Sequence, residues 1–323
     1  MILWSVSIVL CAAVAAGGAA HAHTAKVLFL DDTLGDSSTA FAARLKDGIA
    51  SAFQIDCVSA LGLAARLEAE KGPGTILVLP NAPFFPAEAK SALEAFLRRG
   101  NHLMAVSGPA FANLVVRYKD EWLTAAQASA HLATVRGTSI VDFAQEDSGR
   151  WCRYSASMKN KTTYTVEPSG APQVPDAMHV RIGRLDDWDV VASPSLTTPF
   201  PPGHTVTAFW AKGGPGTPEL VVEWREKDGC RWMAAVKLTT EWKRYALVPG
   251  DFRYWSDNPS LGRGAPDDRF RPENADVISF GIASGISVQE IGVAHEFWVS
   301  DVQAAVDEFA AVDFSPPVLE SIS

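Results

Sequence analysis

Residues 220–238 read LVVEWREKDGCRWMAAVKL, and this stretch decides the fold of the second half of the chain. It contains two runs rich in β-branched and aromatic residues, Leu220–Arg225 and Arg231–Leu238. The turn residues Lys227-Asp228-Gly229 separate the two runs. Short runs of this composition, divided by turn residues, predict antiparallel strands.

The same texture extends on both sides of this stretch, from Ser139 onward. Short β-rich runs recur at Thr205–Lys212, Val277–Ile282 and Glu296–Val302, with turns such as Gly213-Gly214-Pro215-Gly216 between them. Many short strands with regular turn signals predict an all-β antiparallel sandwich, or jelly roll. Eight of the ten tryptophans lie in this half, so its aromatic residues are the first place to look for function.

The preceding half alternates between two kinds of pattern. Short apolar runs predict strands, and stretches with apolar residues at helical spacing predict helices. The predicted strands are 27–30, 55–58, 75–79 and 102–106, and the predicted helices are 37–53, 61–70 and 89–99. This order predicts an α/β domain with a doubly wound parallel sheet. Residues 110–138 are less regular, and we expect them to be helical in part.

The first 22 residues are typical of a secretory signal peptide. Ile2–Ala22 contains no charged side chain and ends in Ala20-His21-Ala22, which fits a small-residue cleavage site. An uncleaved membrane anchor is the alternative, since about 20 apolar residues can span a bilayer. The predicted organisation is therefore a signal peptide (1–22), an α/β domain (24–138), a β-sandwich (139–312) and a tail (313–323), in a secreted or periplasmic protein.

Composition and charge exclude several functions. Of the 323 residues, 47% are hydrophobic, which is enough for a buried core, and the formal net charge is −9. An acidic chain lacks the positive surface that nucleic acids and anionic membranes attract. We therefore expect no nucleic-acid partner and no membrane partner after signal removal. The oligomeric state stays open.

The run from Thr75 to Gly108 carries a resemblance to a known family. Its strand, proline turn, proline-started helix and second strand resemble the class I glutamine amidotransferase-like superfamily. The active members carry a nucleophilic cysteine where this chain reads Ala105-Val106-Ser107-Gly108, so the resemblance implies an inactive domain. A serine nucleophile at Ser107 would need a nearby base. Asp31, Asp32 and Asp36 follow the first strand, where α/β folds bind ligands, although solvated carboxylates explain them as well.

Segments of the second half resemble the galactose-binding-like jelly roll of carbohydrate-binding modules. They are TAFWAKG at 207–213, WKRYAL at 242–247, DVISFG at 276–281 and EFWVSDV at 296–302, together with Asp142-Phe143. The resemblance is to accessory regions of secreted bacterial glycoside hydrolases. It implies binding of a polysaccharide or glycan by the sandwich.

The chemistry of sugar binding selects candidate residues. A pyranose packs its C–H face on an aromatic ring and offers hydroxyl groups to planar polar side chains. The 251–276 segment is too long for an ordinary hairpin loop, and 185–189 is a second aromatic and acidic loop. The predicted ligand-binding residues are Trp188, Tyr254, Trp255, Asp257, Arg263, Asp268 and Arg269. In the alternative interpretation, Tyr254 and Trp255 cap the sandwich and the arginines pair with the aspartates. Tryptophans in the strand patterns are expected in the core: Trp210, Trp224, Trp242 and Trp298.

The sequence also offers candidates for a metal site and for a disulfide. The resemblance implies a structural Ca²⁺ held by oxygen ligands from the first and last strands, for which Asp142 and Asp301 are the candidates, with Glu146 and Asp147 near the former. Cys152 and Cys230 are free to form a disulfide in an exported protein. Buried thiols at Cys57, Cys152 and Cys230 are the alternative.

The expected function is non-catalytic carbohydrate binding. One alternative is a hydrolase, either a glycosidase or an amidotransferase-like enzyme, and a histidine within hydrogen-bond reach of Ser107 would favour the latter. A glycosidase needs two carboxyl groups about 5–9 Å apart, and the sequence does not single out such a pair. A structural role in protein interaction is the third alternative.

Overall fold

The structure is a computed structural model, and it describes residues 26–32, 34–35, 39–144, 148–157, 159–171, 174–256 and 263–318. The chain divides into two compact units. The first comprises the chain up to Trp122 together with the segment from Asp313 onward, and the second is Leu123–Val312. Among the described residues, no helix has the length and apolarity needed to cross a membrane.

The first unit alternates strands and helices, as the sequence predicts. Its elements are β1 (Lys26–Leu30), α1 (Thr39–Ala50), β2 (Gln54–Val58), α2 (Ala60–Ala69), β3 (Ile76–Leu79), β4 (Phe84–Pro86), α3 (Lys90–Arg98), β5 (His102–Ala105) and β6 (Asn113–Tyr118). Four strands form a parallel sheet in the order β2-β1-β3-β5. The irregular 110–138 segment supplies more strand than expected, since it contains β6 and β7 (Glu121–Thr124).

The two faces of this parallel sheet bury different residues. Alternate residues of a strand point to opposite faces. Val27, Phe29 and Val78 pack with Leu45 and Ile49 of α1. The residues between them pack with α2 and α3 in a larger cluster, whose members include Leu28, Leu77, Leu79, Leu63, Leu67, Leu93 and Phe96. The strands are therefore buried on both faces, which explains their continuous apolar runs.

The second unit is a β-sandwich. Its elements are α4 (Ala125–Leu132), β8 (Thr138–Val141), β9 (Cys152–Ser155), β10 (Thr162–Ala171), β11 (Val174–Ile182), β12 (Trp188–Ala192), β13 (His204–Gly213), β14 (Glu219–Glu226), β15 (Arg231–Lys237), β16 (Lys243–Leu247), β17 (Arg253–Tyr254), β18 (Ala275–Ala283) and β19 (His295–Val306). One six-stranded sheet has the order β10-β11-β19-β13-β16, with β8 paired to β19. The other has the order β17-β15-β14-β18-β12-β9.

The core of the sandwich contains the inward-facing residues of both sheets. The opening stretch shows the alternation: Leu220, Val222 and Trp224 of β14 belong to the core cluster. Trp224 and Trp232 are fully buried, and the indole of Trp224 donates a hydrogen bond to Thr207 Oγ1 at 2.9 Å. The prediction that Trp224 lies in the core is confirmed.

The boundary between the units differs from the predicted one at residue 138. The helix α4, which begins with a capping box of Thr124 and Gln127, belongs to the sandwich unit. It contacts that unit at its end, where the Arg244 guanidinium donates to the carbonyls of Ala133 and Val135. The predicted tail from Asp313 onward belongs to the first unit, where Asp313 pairs with Lys90.

The structure contradicts the disulfide alternative and, for two of the three cysteines, the alternative of buried thiols. Cys57, Cys152 and Cys230 are all free thiols, so the Cys152–Cys230 disulfide is not formed. Cys230 is buried in the core, whereas Cys57 and Cys152 are exposed. The alternating pattern of β9 explains the exposure of Cys152, because its side chain points away from the core.

Candidate functional site

A groove lies on the outward face of the sheet that contains β9, β12, β14, β15, β17 and β18. It consists of two adjoining hollows of ≈ 480 Å³ and ≈ 380 Å³. The two hollows share four lining residues, namely Trp188, Val190, Glu223 and Arg231. We call the combined surface the groove. The size of each hollow falls in the range of small-ligand sites.

Aromatic rings stand along the groove. Trp188 begins β12 opposite Ala283 of β18 and lines both hollows. Trp255 follows β17 and lines the larger hollow, where its backbone N–H donates to Arg231 O at 2.9 Å. Tyr154 of β9 lines the smaller hollow and is 52% exposed. The two indoles are half-buried, so part of each ring stays available to a ligand.

An ion pair occupies the centre of the groove. Arg231 donates from Nε to Glu223 Oε1 and from Nη2 to Glu223 Oε2, both at 2.7 Å. The Glu223 side chain is only 8% exposed, and the Arg231 side chain is 36% exposed. Hydrogen bonding to Glu223 raises the pKa of Arg231 above its usual value. This bidentate pair presents fixed polar groups between the rings.

The other charged residues of the groove also have partners. Arg225 donates to Asp276 at 3.2 Å, and Asp276 also accepts a hydrogen bond from Ser195. Asp187 accepts a hydrogen bond from Ser284 across the larger hollow. Each of the four charged side chains that line the hollows is therefore bonded within the described structure.

The floor of the groove depends on a glycine. Gly281 of β18 is paired with Val190 of β12 on one side and with Val221 of β14 on the other. Both valines line the larger hollow. A Cβ atom at this position would lie 2.3 Å from Asp189 O and 2.5 Å from a methyl carbon of Val190. No larger residue fits unless β12 and β18 move apart.

The predicted site residues separate into two groups. Trp188 and Trp255 meet at the larger hollow, although 67 positions apart in sequence numbering. Asp257 lies outside the described residues. Tyr254 points inward instead, since it packs edge-on against Trp232 at 5.4 Å and against the core. The interpretation of Tyr254 as a cap of the sandwich fits this position.

The arginine and aspartate candidates pair with each other. Arg263 donates to Asp268 at 2.6 Å and to Glu226 at 2.6 Å, and its side chain is only 8% exposed. The Arg263 hydrogen bond holds the pKa of Asp268 well below its usual range. Arg269 is exposed and donates to the carbonyls of Pro266 and Asp268. Arg263 and Asp268 thus have partners within the protein, as in the alternative interpretation, and their direct contact with a ligand stays a prediction.

The calcium candidates Asp142 and Asp301 belong to no close cluster of three ligand atoms within the part of the chain that the structure describes. Asp142 Oδ1 accepts from Ala144 N, and both carboxylate oxygens of Asp301 accept from Gln303 Nε2 at 2.8 and 2.9 Å. The only close cluster of three Asp, Glu, Cys or His ligand atoms among the described residues is Glu226, Asp228 and Cys230, where Arg263 already neutralises the carboxylates. Glu146 and Asp147 lie outside the described residues, so Ca²⁺ binding stays a prediction.

Three tryptophans expected in the core lie elsewhere. Trp210, Trp242 and Trp298 are half-buried on the outward side of the other sheet, which we call the opposite face. Lys212 Nζ lies 4.6 Å from the Trp298 ring and 5.2 Å from the Trp242 ring, and His179 stacks on Trp298 at 4.0 Å. The strand neighbours of Trp210 and Trp298 face the core, so the period-2 alternation sends these two rings outward.

Sequence analysis missed the polar centre of the groove. Glu223 and Arg231 lie in strands, whereas the residues predicted to bind sugar belong to loop-like stretches of the sequence. The signal was present, because Glu223 stands between the apolar residues Val222 and Trp224 in the opening stretch. A charged residue within such a run marks the outward face of a strand.

The first unit gives its carboxylates structural partners. Asp31 pairs with Lys46 at 2.7 Å, and Asp32 accepts from Ala60 N at the start of α2. Asp36 lies outside the described residues. Ser107 is exposed and has a φ of 70°, and no hydrogen bond links it to a histidine in the described part of the chain. The observation that would favour an amidotransferase-like hydrolase is thus missing there.

The chain resembles solved carbohydrate-binding modules. It is similar to the family 11 carbohydrate-binding module of the cellulosomal cellulase Lic26A-Cel5E of Clostridium thermocellum, with 16% identity, 54% of this chain and 96% of that chain covered, and a TM-score of 0.41. A structure of the Clostridium thermocellum family 11 module with a β-1,3-1,4-mixed-linked tetrasaccharide has 16% identity, coverages of 54% and 98%, and a TM-score of 0.42.

A further similar structure is the CBM22-1 xylan-binding domain of Paenibacillus barcinonensis Xyn10C, with 13% identity, coverages of 52% and 94%, and a TM-score of 0.32. No protein-family model matches the chain, and no curated protein matches it. The β-sandwich itself follows from the strand pairing described above and does not depend on these likenesses.

Proposed function

We propose that this protein is an exported, non-catalytic protein that binds an uncharged polysaccharide in the groove. The observation that carries the proposal is the arrangement of Trp188, Trp255 and the Glu223–Arg231 pair within one groove. Half-buried indoles offer flat apolar surfaces to the C–H face of a pyranose, and the fixed ion pair offers hydrogen bonds to its hydroxyl groups.

The paired charges support an uncharged ligand. A uronate or sulfate group is favoured by a cation whose charge is not already neutralised, and the groove's arginines are neutralised by Glu223 and Asp276. Hydroxyl groups accept and donate single hydrogen bonds, so they can add to the pair without breaking it. Neutral sugars are therefore the ligand class that this lining accommodates at the smallest cost.

A glycosidase in the same groove is less well supported. Both oxygens of Glu223 accept hydrogen bonds from Arg231, so a proton on that carboxyl group would break a bidentate pair. The other carboxylate that lines the groove, Asp187, is bonded to Ser284. An acid and a base that flank the scissile bond need freer carboxyl groups than these.

For residues 1–22, we propose a secretory signal peptide.

For the first unit, we propose an inactive, doubly wound amidotransferase-like domain. The parallel sheet with helix contacts on both faces supports this proposal, together with a serine where active members of that superfamily carry cysteine. Incubation of the protein with glutamine, followed by an ammonia assay, tests the inactivity. Release of ammonia above a heat-inactivated control would contradict it.

The binding proposal is tested by affinity electrophoresis and calorimetry of the full chain against soluble mixed-linked β-glucan, xylan and galactan. We expect retardation by at least one of them. Trp188→Ala should weaken this binding at least about tenfold, because the ring lines both hollows. Trp298→Ala is the matched control, a tryptophan of the same sandwich on the opposite face, and should keep the affinity within about twofold.

Two outcomes would contradict this proposal. Equal losses for Trp188→Ala and Trp298→Ala would mean that the groove is not the binding site. Release of reducing ends from any of the three polysaccharides, abolished by Glu223→Gln, would replace the binding function by glycoside hydrolysis.

A further inference from the structure

We propose that Arg263 is a positioning residue for glycan binding, because it maintains the packing of Tyr254 and thereby the position of the Trp255 ring in the groove. This inference rests on the proposed function, because it concerns the same groove. Arg263 itself faces away from the groove and lines neither hollow. It acts through the residues that it fixes.

The first step is the anchor. Arg263 Nη1 donates to Glu226 Oε2 at 2.6 Å, and the Glu226 side chain is fully buried at the end of β14. The same guanidinium binds Asp268 at 2.6 Å and Asp228 at 3.2 Å. A buried cation with three carboxylate partners fixes the segment around 263–268 to the sheet. Without the cation, Glu226 would be a buried anion whose remaining donor among the described residues is Arg271 N.

The second step leads from the anchor to the aromatic residues. The Arg263 guanidinium lies 5.3 Å from the centre of the Trp232 ring, and Trp232 packs edge-on against Tyr254 at 5.4 Å. Gly264 has a φ of 88°, and a Cβ atom there would lie only 2.5 Å from the Tyr254 ring. The segment that Arg263 anchors is thus packed directly against Tyr254.

The third step reaches the groove. Tyr254 immediately precedes Trp255, so a shift of the Tyr254 side chain moves the backbone that carries the indole. The backbone N–H of Trp255 donates to Arg231 O of the sheet, and the Trp255 ring lies near Gly285. The position of the Trp255 ring therefore depends on the packing of Tyr254 beneath it, and the Arg263 anchor maintains that packing.

The experiment is a double-mutant cycle between Arg263→Gln and Trp255→Ala. Affinity of the full chain for the polysaccharide that binds it best is measured by calorimetry, and the thermal midpoint of each variant is recorded. Arg263→Gln should weaken binding about tenfold in the native background and less than about twofold in the Trp255→Ala background, because the anchor acts through that ring.

Arg244→Gln is the matched control. Arg244 is another half-buried arginine of the same unit, but it binds Ala133 O, Val135 O and Gln303 on the other sheet. It should lower the thermal midpoint while leaving the affinity within about twofold. Equal losses of affinity in Arg263→Gln and Arg244→Gln would indicate a general loss of stability. That outcome would overturn the proposal.

The remaining outcomes are also decisive. Equal effects of Arg263→Gln in both backgrounds would overturn the positioning role and leave the groove intact. An unchanged affinity of Trp255→Ala alone would remove that ring from the site and overturn the positioning role with it. Should Arg263→Gln fail to fold, Gly264→Ala tests the same route, because its methyl group displaces Tyr254; an unaltered affinity of that folded variant would contradict the proposal.

Discussion

The groove and the opposite face both carry tryptophans, but they differ in what contacts the rings. On the opposite face, the indole of Trp298 donates to Glu167 and the indole of Trp242 donates to Ser169 O, both at 2.9 Å. Lys212 lies over both rings. In the groove, the indole nitrogens of Trp188 and Trp255 have no hydrogen-bond partner among the described residues.

This difference separates two uses of the same side chain. On the opposite face, the rings make internal contacts, and a cation or a second ring over an indole stabilises the fold. In the groove, part of each ring surface is exposed, and the described residues offer no partner to the indole N–H groups. The presence of tryptophan on a sheet face is therefore a weaker sign of ligand binding than the absence of internal partners.

The largest expected effect is that of removing the groove's central cation, Arg231, compared with removing Lys212 on the opposite face. Arg231→Ala should lower the free energy of unfolding by about 2 kcal/mol, because Glu223 is left nearly buried without its partner, and it should weaken glycan binding at least about tenfold. Lys212→Ala on the opposite face should leave the affinity unchanged. Chemical denaturation and calorimetry measure the two effects.

A double variant sharpens this test. Glu223→Ala combined with Arg231→Ala removes both charges, so most of the stability should return while the affinity stays low. Recovery of the affinity together with the stability would mean that Arg231 only supports the fold, and the ion pair would lose its place in the binding site.

An intermediate effect is expected from pH on the opposite face. The hydrogen bond from Trp298 lowers the pKa of Glu167, as does the neighbouring His179. A lowered folded-state pKa adds stability above the unfolded value of about 4.3, and this stability is lost as the pH falls through the folded value. Trp298→Phe should therefore cost more stability at pH 6 than at pH 3, by less than about 1 kcal/mol, because the Glu167 side chain is 38% exposed and solvent screens its charge.

The matched control for this pH effect is Trp242→Phe. Its indole binds the carbonyl of Ser169, which does not titrate, so its cost should be the same at both pH values. Thermal unfolding across this pH range measures both variants. A parallel pH dependence of the two costs would contradict the assignment to Glu167.

The smallest expected effect is that of salt on glycan binding. Raising the ionic strength from about 0.05 M to about 0.5 M should change the affinity less than about twofold, because screening acts on unpaired charges and the groove's charges are paired. A loss of tenfold or more in calorimetry would indicate an anionic ligand. It would also remove the argument for an uncharged glycan.

Much of the fold could be predicted from local patterns. The runs at Leu220–Arg225 and Arg231–Leu238 became β14 and β15 within one or two residues, because period-2 alternation and turn residues are local signals. The segment 110–138 was harder. Its strands β6 and β7 are short, and β6 pairs with β4, a partner that local sequence does not reveal.

The site was only partly predictable. Trp188 and Trp255 could be found from their loop-like surroundings, but the direction of Tyr254 and Arg263 is set by tertiary partners, Trp232 and Glu226, that lie more than twenty residues away. Alternation shows which side of a strand a residue occupies. It does not reveal whether another side chain will cover it.

The crowded environment of Gly281 restricts how the groove can change. The middle of the groove floor cannot gain a side chain by a single substitution, since any added carbon meets the backbone of β12. New ligand preferences are therefore easier to obtain at the rim, where Ser284, Gly285 and Asp187 lie on connecting segments. A library randomised at these rim positions should yield more folded members than one that includes position 281.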